Sequence, residues 1–177
     1  MLRELGVRFN SPFINLNVNP KDYVKYIKNL DYYNSLPLEV KMVEGIDYPI
    51  GTLGDLTIEF IHYKTCELAK QKWEERAKRI NKDNLFIMLT EQHDCTEEIV
   101  REFDKLPYKN KVVFTYRKYE DVKSSIYLEE FKDNPKGVFM FLGFRNKYSI
   151  KRKFDCFDFL SWFNGETDLN KLFLENK

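Results

Sequence analysis

Polar side chains that could bind or activate a substrate follow three predicted strands, at the point where each strand ends. His62, Tyr63 and Lys64 follow the first of these strands, and the other two groups are Glu91, His93, Asp94 and Cys95, and then Tyr116, Arg117 and Lys118. A further pair, Asn10 and Ser11, precedes an additional predicted strand. Open α/β sheets bind ligands at the carboxyl ends of parallel strands, so we expect these groups to form one site.

Two kinds of chemistry are predicted for this site. His62 and His93 are the predicted catalytic residues, because an imidazole titrates near neutral pH and can act as a general base. A structural, hydrogen-bonding role is the alternative for each histidine. Cationic side chains at a strand end can hold a phosphate. The alternative is that these side chains are solvated surface charges that bind no ligand. The predicted substrate-binding residues are Asn10, Ser11, Tyr63, Lys64, Tyr116, Arg117 and Lys118.

The elements that must position these residues alternate between strands and helices. Strands are predicted at Phe13–Asn17, Leu36–Val43, Leu56–Ile61, Leu85–Leu89, Lys111–Tyr116, Ser125–Leu128 and Val138–Leu142. Helices are predicted from Pro20, from Cys66 to Ile80 after an N-cap at Thr65, and after Asp94. The uninterrupted apolar run Leu85–Leu89 is typical of a central parallel strand. This alternation predicts a three-layer, mainly parallel, Rossmann-like open α/β sheet. The chain is predicted to be one domain over residues 1–177, less regular from about residue 118.

Composition excludes several classes of function. The net charge of +1 argues against nucleic acid as a partner, although five cations within Arg145–Lys153 could contact an anionic polymer instead of forming a solvated loop. The longest apolar stretch, Gly137–Phe144, is far shorter than the roughly 20 residues needed to span a membrane. Three separated cysteines and two histidines predict no metal site. We expect a reduced, cytoplasmic protein with no secretion signal.

Four segments of the chain together resemble one bacterial family. They are NSPFINL (10–16), DYPIGTLGDLTIEFIHYKT (47–65), the helix that carries Ala69, Trp73, Arg76 and Arg79, and LPYKNKVVFTY (106–116). Members carry a domain of unknown function and are usually named polysaccharide biosynthesis proteins of capsule or exopolysaccharide gene clusters. They usually begin with a further strand that ends in an Asn-Asn-Cys-Trp-Gly-Gly-like motif. The present chain is therefore expected to be N-terminally truncated relative to the family.

The resemblance implies a role in surface polysaccharide biosynthesis. One interpretation is a sugar or acyl transferase whose donor is a nucleotide sugar or acyl-CoA, with no other cofactor evident. The alternative is a non-catalytic module of the same pathway that binds carbohydrate or assists assembly. Loss of the first strand should leave an exposed sheet edge, which predicts a homodimer or a partner segment across that edge.

Overall fold

The computed structural model describes residues 10–92, 94–139, 141–148 and 150–174. The chain forms two compact units, one ending at Leu85 and one beginning at Phe86. Both contain helices and a small sheet, so the predicted α/β class is confirmed, but the described residues form one antiparallel and one parallel sheet where a single three-layer, mainly parallel sheet was predicted. That residues 1–177 behave as a single domain stays a prediction.

The first unit contains a four-stranded antiparallel sheet in the order β1-β4-β3-β2. Its strands are β1 (Asn17–Val18), β2 (Glu39–Lys41), β3 (Ile50–Leu53) and β4 (Leu56–Glu59). The prediction that β1 and β4 belong to one mainly parallel sheet is wrong, because both are antiparallel to their neighbours. Gly54, at φ +63°, lies in the tight turn that joins β3 to β4. Such a short turn can only join antiparallel strands.

The described part of the first unit, from residue 10 on, also contains three helices: α1 (Pro20–Lys28), α2 (Leu30–Ser35) and α3 (Cys66–Ala77). The start of α1 is confirmed, since Asn19 Oδ1 accepts a hydrogen bond from the Lys21 amide at 2.9 Å and Pro20 occupies the first turn. The predicted N-cap of α3 is also confirmed, because Thr65 Oγ1 accepts from the Leu68 amide at 3.2 Å. The helix ends before the predicted Ile80. Residues 12–15 form turns where a strand was predicted.

An aromatic cluster forms the core of the first unit. Trp73, on α3, is 4% exposed. Its ring makes edge-on contacts with Phe13, Tyr26 and Phe60 at centroid distances of 5.5, 5.9 and 6.4 Å. Edge-on contacts are a favourable geometry for aromatic pairs. The predicted core position of Trp73 is confirmed.

The second unit contains a three-stranded parallel sheet in the order β5-β6-β7. The strands are β5 (Phe86–Thr90), β6 (Asn110–Thr115) and β7 (Ser125–Tyr127), and α4 (Glu97–Asp104) connects the first two. The most buried strand is β6, the middle strand, whose Val112, Val113 and Phe114 are fully buried. The prediction that the Leu85–Leu89 run is a central strand is therefore wrong: β5 is an edge strand of this sheet.

Short elements follow β7. They are 3-10 turns at Glu129–Phe131 and Lys153–Cys156, α5 (Phe159–Phe163) and α6 (Leu169–Leu172). Phe157, Phe159 and Trp162 pack against one another, and the first two also contact Phe114 of β6. No strand forms among the described residues of the predicted strand Val138–Leu142, where the preceding Gly137 makes a single bridge to Gln92.

Candidate functional site

The predicted group after β4 divides into a structural residue and two exposed residues. Tyr63 is buried, and its hydroxyl donates to the Ile14 carbonyl at 3.3 Å. The guanidinium of the largely buried Arg76 donates from Nη1 to the Ile14 carbonyl and to Tyr63 Oη, both at 2.8 Å. These bonds fix the turn before β1 against α3. His62 and Lys64 are exposed, so the three residues do not converge on one point.

The other predicted residues of the first unit lie in the same turn region. Asn10 is exposed and Ser11 is half-buried, with its Oγ accepting a hydrogen bond from the Phe13 amide at 3.2 Å. That bond is a local turn contact. His93 lies outside the described residues. Substrate binding by Asn10 and Ser11 and catalysis by His62 and His93 stay predictions.

Glu91 organises the carboxyl edge of the parallel sheet in the second unit. Its side chain is fully buried, and Oε2 accepts hydrogen bonds from the amides of Tyr116 and Arg117 at 3.1 and 3.3 Å. Oε1 accepts from Arg117 Nε at 2.7 Å and from the Tyr119 hydroxyl at 2.5 Å. Burial and the bond to Glu91 both raise the pKa of Tyr119 well above its usual value. Four donors therefore hold this carboxylate in place.

The backbone of Glu91 explains the glycine at position 137. The Val138 amide donates to the Glu91 carbonyl at 2.8 Å, which brings the chain at Gly137 against β5. A Cβ at Gly137 would lie 2.3 Å from that carbonyl oxygen, and its φ of +63° is a region that L-residues rarely adopt. Only glycine fits this close approach.

Arg117 has carboxylate partners on both sides. Besides Glu91, it reaches Glu97 of α4, with Nη1 3.2 Å from Oε1. Burial lowers the pKa of the Arg117 guanidinium, but its bonds and charge interaction with Glu91 outweigh that effect and leave the pKa raised. Arg117 is two-thirds buried and its charge is neutralised by the chain itself. Its geometry suits the support of this edge better than the binding of a free phosphate.

The remaining groups at this edge are Tyr116, Lys118 and Cys95. Tyr116 is half-buried under the Arg117 guanidinium, and the exposed Lys118 amine lies 5.0 Å from the centre of the Tyr127 ring. Burial, together with the charge of Glu91, raises the pKa of the Cys95 thiol to about 12. A thiol of that pKa is protonated at neutral pH and is a poor nucleophile.

A cleft at the opposite, amino end of the parallel sheet was not predicted. It has a volume of about 200 Å³, opens to solvent, and lies where α4 ends and where β6 and β7 begin. We call it the lysine cleft. The residues that line it are Asp104, Tyr108, Lys109, Lys111, Lys123, Ser124, Trp162, Thr167 and Leu169.

The lysine cleft is electropositive. It contains three lysines and one aspartate, and none of the described carboxylates forms an ion pair with Lys109, Lys111 or Lys123. The aspartate, Asp104, instead accepts a hydrogen bond from the Ser124 amide at 2.8 Å. Lys111 is half-buried, and its amine donates to the Leu106 carbonyl at 2.5 Å, which leaves further donor protons.

Ser124 supplies a second observation at the same place. Its hydroxyl is buried and has no hydrogen-bond partner among the described residues. Buried polar atoms are normally paired, and an unpaired one in a native site calls for an explanation such as an absent ligand or water. Ser124 also lines the lysine cleft, so its hydroxyl is a candidate donor, beside the lysine amines, to an anion bound there.

Sequence reasoning missed this cleft because it concentrated on the carboxyl ends of strands. The available signal was the position of the lysines near the first residues of two strands. Lys109 and Lys111 flank the first residue of β6, and Lys123 lies two residues before the start of β7. Parallel strands bring their first residues to one edge as surely as their last. Adjacent parallel strands that both have lysines near their first residues therefore predict a cationic edge.

Two further findings concern the described residues as a whole. No group of three or more His, Cys, Asp or Glu side chains among them is arranged to hold a metal ion. None of their helices is long and apolar enough to cross a membrane.

Two comparisons with known proteins bear on the family of this chain. A model of the family described as "Domain of unknown function (DUF1919)" matches residues 1–164. A relative from Haemophilus influenzae, named "Uncharacterized protein", is 42% identical over 166 residues, which cover 93% of this chain and 78% of the relative. A match of this length and identity shows family membership. The chain belongs to the DUF1919 family.

Proposed function

We propose that this protein acts in surface polysaccharide biosynthesis, for capsule or exopolysaccharide, by binding the diphosphate of a nucleotide sugar in the lysine cleft. The observation that carries the proposal is the combination of three lysines free of carboxylate partners with the unpaired Ser124 hydroxyl. Lysine binds phosphate as a compact point charge, and a diphosphate offers several acceptor oxygens to it. The pathway itself is proposed from the family resemblance.

The size of the cleft limits what it can enclose. Pockets that bury a whole drug-sized ligand measure about 300–1,000 Å³. The lysine cleft, at about 200 Å³, can hold the diphosphate and leaves the base and the sugar partly in solvent. Such an arrangement favours a module that binds and presents a nucleotide sugar. One part of the fold supports the proposal that the protein is Rossmann-like. It is the parallel strand–helix–strand unit formed by β5, α4 and β6.

A transferase is the second candidate, with a sugar or acyl donor. The observation that favours it is the exposure of the His62 imidazole, which leaves the ring accessible to an acceptor hydroxyl. Acyl-CoA is then an alternative donor, because it also carries a diphosphate. In either case we propose a cytoplasmic location, which the three free cysteines support because thiols stay reduced there.

Binding in the lysine cleft predicts ligand-dependent stabilisation. Saturating UDP-glucose, at about 100 times its dissociation constant, should add about 2.7 kcal/mol to the free energy of unfolding. We expect Lys111→Gln and Lys123→Gln each to weaken binding about tenfold, which corresponds to about 1.4 kcal/mol. Thermal shift and calorimetric titration at constant ionic strength would measure both effects, with inorganic phosphate and acetyl-CoA as comparison ligands.

Lys132→Gln is the matched control. It removes one positive charge from an exposed lysine of the same unit that lies outside the cleft and near Glu129. It should leave the affinity unchanged within about twofold, since this lysine does not line the cleft and an exposed charge is screened by salt. Equal losses in all three variants, or no stabilisation by any of the ligands, would refute the proposal.

We also propose that two copies associate through the outer edge of β5. In this fold, we assign the homodimer contact predicted from the sequence to this sheet edge. In the described part of the second unit, β5 pairs with β6 alone, and its alternate residues Phe86, Met88 and Thr90 are half-buried. Unpaired edges tend to accept another strand. Light scattering coupled to size exclusion should give twice the mass of one chain. A single-chain mass at every concentration would exclude the dimer.

A further inference from the structure

One surface segment of the second unit combines exposed apolar side chains with positive charge. We call residues 142–148 and 150–152 the basic loop. Leu142, Phe144, Tyr148 and Ile150 are 62, 54, 85 and 92% exposed. They are four of the nine exposed large apolar side chains of the described chain, and they fall within nine consecutive residues. Single exposed apolar residues are ordinary, but a cluster marks an interaction surface.

The charge of the basic loop has one sign. Arginine and lysine occupy positions 145, 147, 151 and 152, and no aspartate or glutamate occurs between Leu142 and Phe154. The whole chain carries only +1, so this charge is local. A surface complementary to the loop is therefore anionic and also accepts apolar groups.

Backbone contacts hold the base of the loop and project its tip. The Arg145 amide donates to the Lys151 carbonyl at 3.0 Å, and the Lys153 amide donates to the Gly143 carbonyl at 2.9 Å. Phe144 and Arg152 form a bridge across the base. At the tip, the Asn146 side chain accepts from the Tyr148 amide at 2.9 Å. The two most exposed apolar residues, Tyr148 and Ile150, thus lie at the end of a closed hairpin-like segment.

Cations and aromatic rings lie side by side in this loop. The Lys147 amine is 4.7 Å from the centre of the Tyr148 ring, and the Arg152 guanidinium is 4.9 Å from that of Phe144. At a bilayer surface, aromatic rings occupy the headgroup level while lysine and arginine contact anionic headgroups. Segments with both features bind anionic membranes through apolar burial and charge attraction together.

We propose that the basic loop docks on an anionic phospholipid bilayer, with Tyr148 and Ile150 inserted at the level of the headgroups. Nucleic acid is the other anionic partner of such a loop, but the aliphatic side chains of Ile150 and Leu142 have no role at a phosphate backbone. An acidic protein partner would need its own apolar pocket. The bilayer alone offers negative charge above a continuous apolar layer, and this match of both properties decides between the three.

Vesicle co-sedimentation of the full chain tests the docking surface. Vesicles of equimolar phosphatidylcholine and phosphatidylglycerol should bind the protein, and vesicles of phosphatidylcholine alone should bind it much more weakly. Tyr148→Ser with Ile150→Ser, and separately Lys147→Gln with Lys151→Gln, should each lower the bound fraction about fivefold or more. All four side chains lie on the surface segment, so thermal melting should match the unmodified protein.

The controls distinguish binding by the basic loop from nonspecific apolar adsorption and from nonspecific charge attraction. Leu160→Ser removes an apolar side chain that is 60% exposed outside the loop and should leave vesicle binding unchanged. A single-stranded oligonucleotide, followed by fluorescence anisotropy, should not compete with the vesicles. Three outcomes would overturn the proposal: no binding to anionic vesicles, binding that depends on the lysines but not on Tyr148 and Ile150, or tighter binding to the oligonucleotide.

Discussion

Replacing Trp73 by alanine should lower the free energy of unfolding by about 3–5 kcal/mol, the range for truncation of a large buried aromatic residue. The physical reason is the cavity that would open among Phe13, Tyr26 and Phe60, whose rings all contact the indole. These rings come from the turn before β1, from α1 and from the residue that follows β4, so the loss affects several parts of the first unit. Chemical denaturation followed by circular dichroism would measure it.

Leu68→Ala is the matched control for Trp73. Leu68 lies on the same helix and is 42% exposed, so its truncation should change stability by no more than about 0.5 kcal/mol. Trp73→Phe should fall between the two, because the smaller ring keeps part of the contact. Equal denaturation midpoints for Trp73→Ala and Leu68→Ala would remove Trp73 from the core.

Replacing Glu91 by glutamine should destabilise the second unit by about 3 kcal/mol, at the low end of the range for breaking a buried ion pair because Arg117 remains partly exposed. The substitution keeps the shape of the side chain, so packing does not change. An amide, however, offers one acceptor oxygen and an NH2 group to four donors that now converge on a carboxylate. At least one donor would then face another donor in a buried site.

Glu97→Gln removes the second, more exposed carboxylate partner of Arg117. Glu97 also pairs with Arg117, with Nη1 and Oε1 3.2 Å apart, but its side chain is half-exposed. Exposed pairs contribute about 0–1 kcal/mol, so the expected loss is well below that of Glu91→Gln. Urea unfolding of both variants measures the difference. Losses of the same size would show that Glu91 is not the anchor of this edge.

Local signals in the sequence predicted local structure well. Asn19 with Pro20, and Thr65 before Cys66, mark helix starts that the structure contains, because capping depends on residues within one turn. The N-cap of α4 shows the limit: Asp94 was predicted, but Thr96 accepts the hydrogen bond from the Ile99 amide at 3.4 Å. Two possible capping residues two positions apart compete, and the sequence alone does not rank them.

Strand pairing could not be predicted in the same way. The apolar run Leu56–Ile61 followed by a helix suggested a parallel unit, but the run pairs with the segment before it through the turn at Gly54. A short turn with glycine favours this hairpin, whereas parallel pairing requires a long crossover. Gly54 is the residue that indicates the hairpin in this part of the sequence.

The pairing of the side chains at the candidate site could not be predicted for a related reason. Glu91 does meet Tyr116 and Arg117 at one edge, as expected for parallel strands, and a substrate-binding role of these residues stays a prediction. Whether Arg117 is available to a ligand depends on side-chain pairing with Glu91 and Glu97, which spacing along the chain does not reveal. For the same reason, the sequence did not predict that the Ser124 hydroxyl is unpaired or that lysines lie near it.

A nuclear magnetic resonance titration with UDP-glucose tests the central claim, that the lysine cleft binds a diphosphate, most directly. We expect saturable shifts of the Ser124 amide and of the Trp162 indole, two groups of the cleft lining. Lys111→Gln should raise the dissociation constant from these shifts about tenfold. Shifts confined to Lys118 and Tyr127, at the carboxyl end of the same sheet, or no saturable shift at all, would contradict the account.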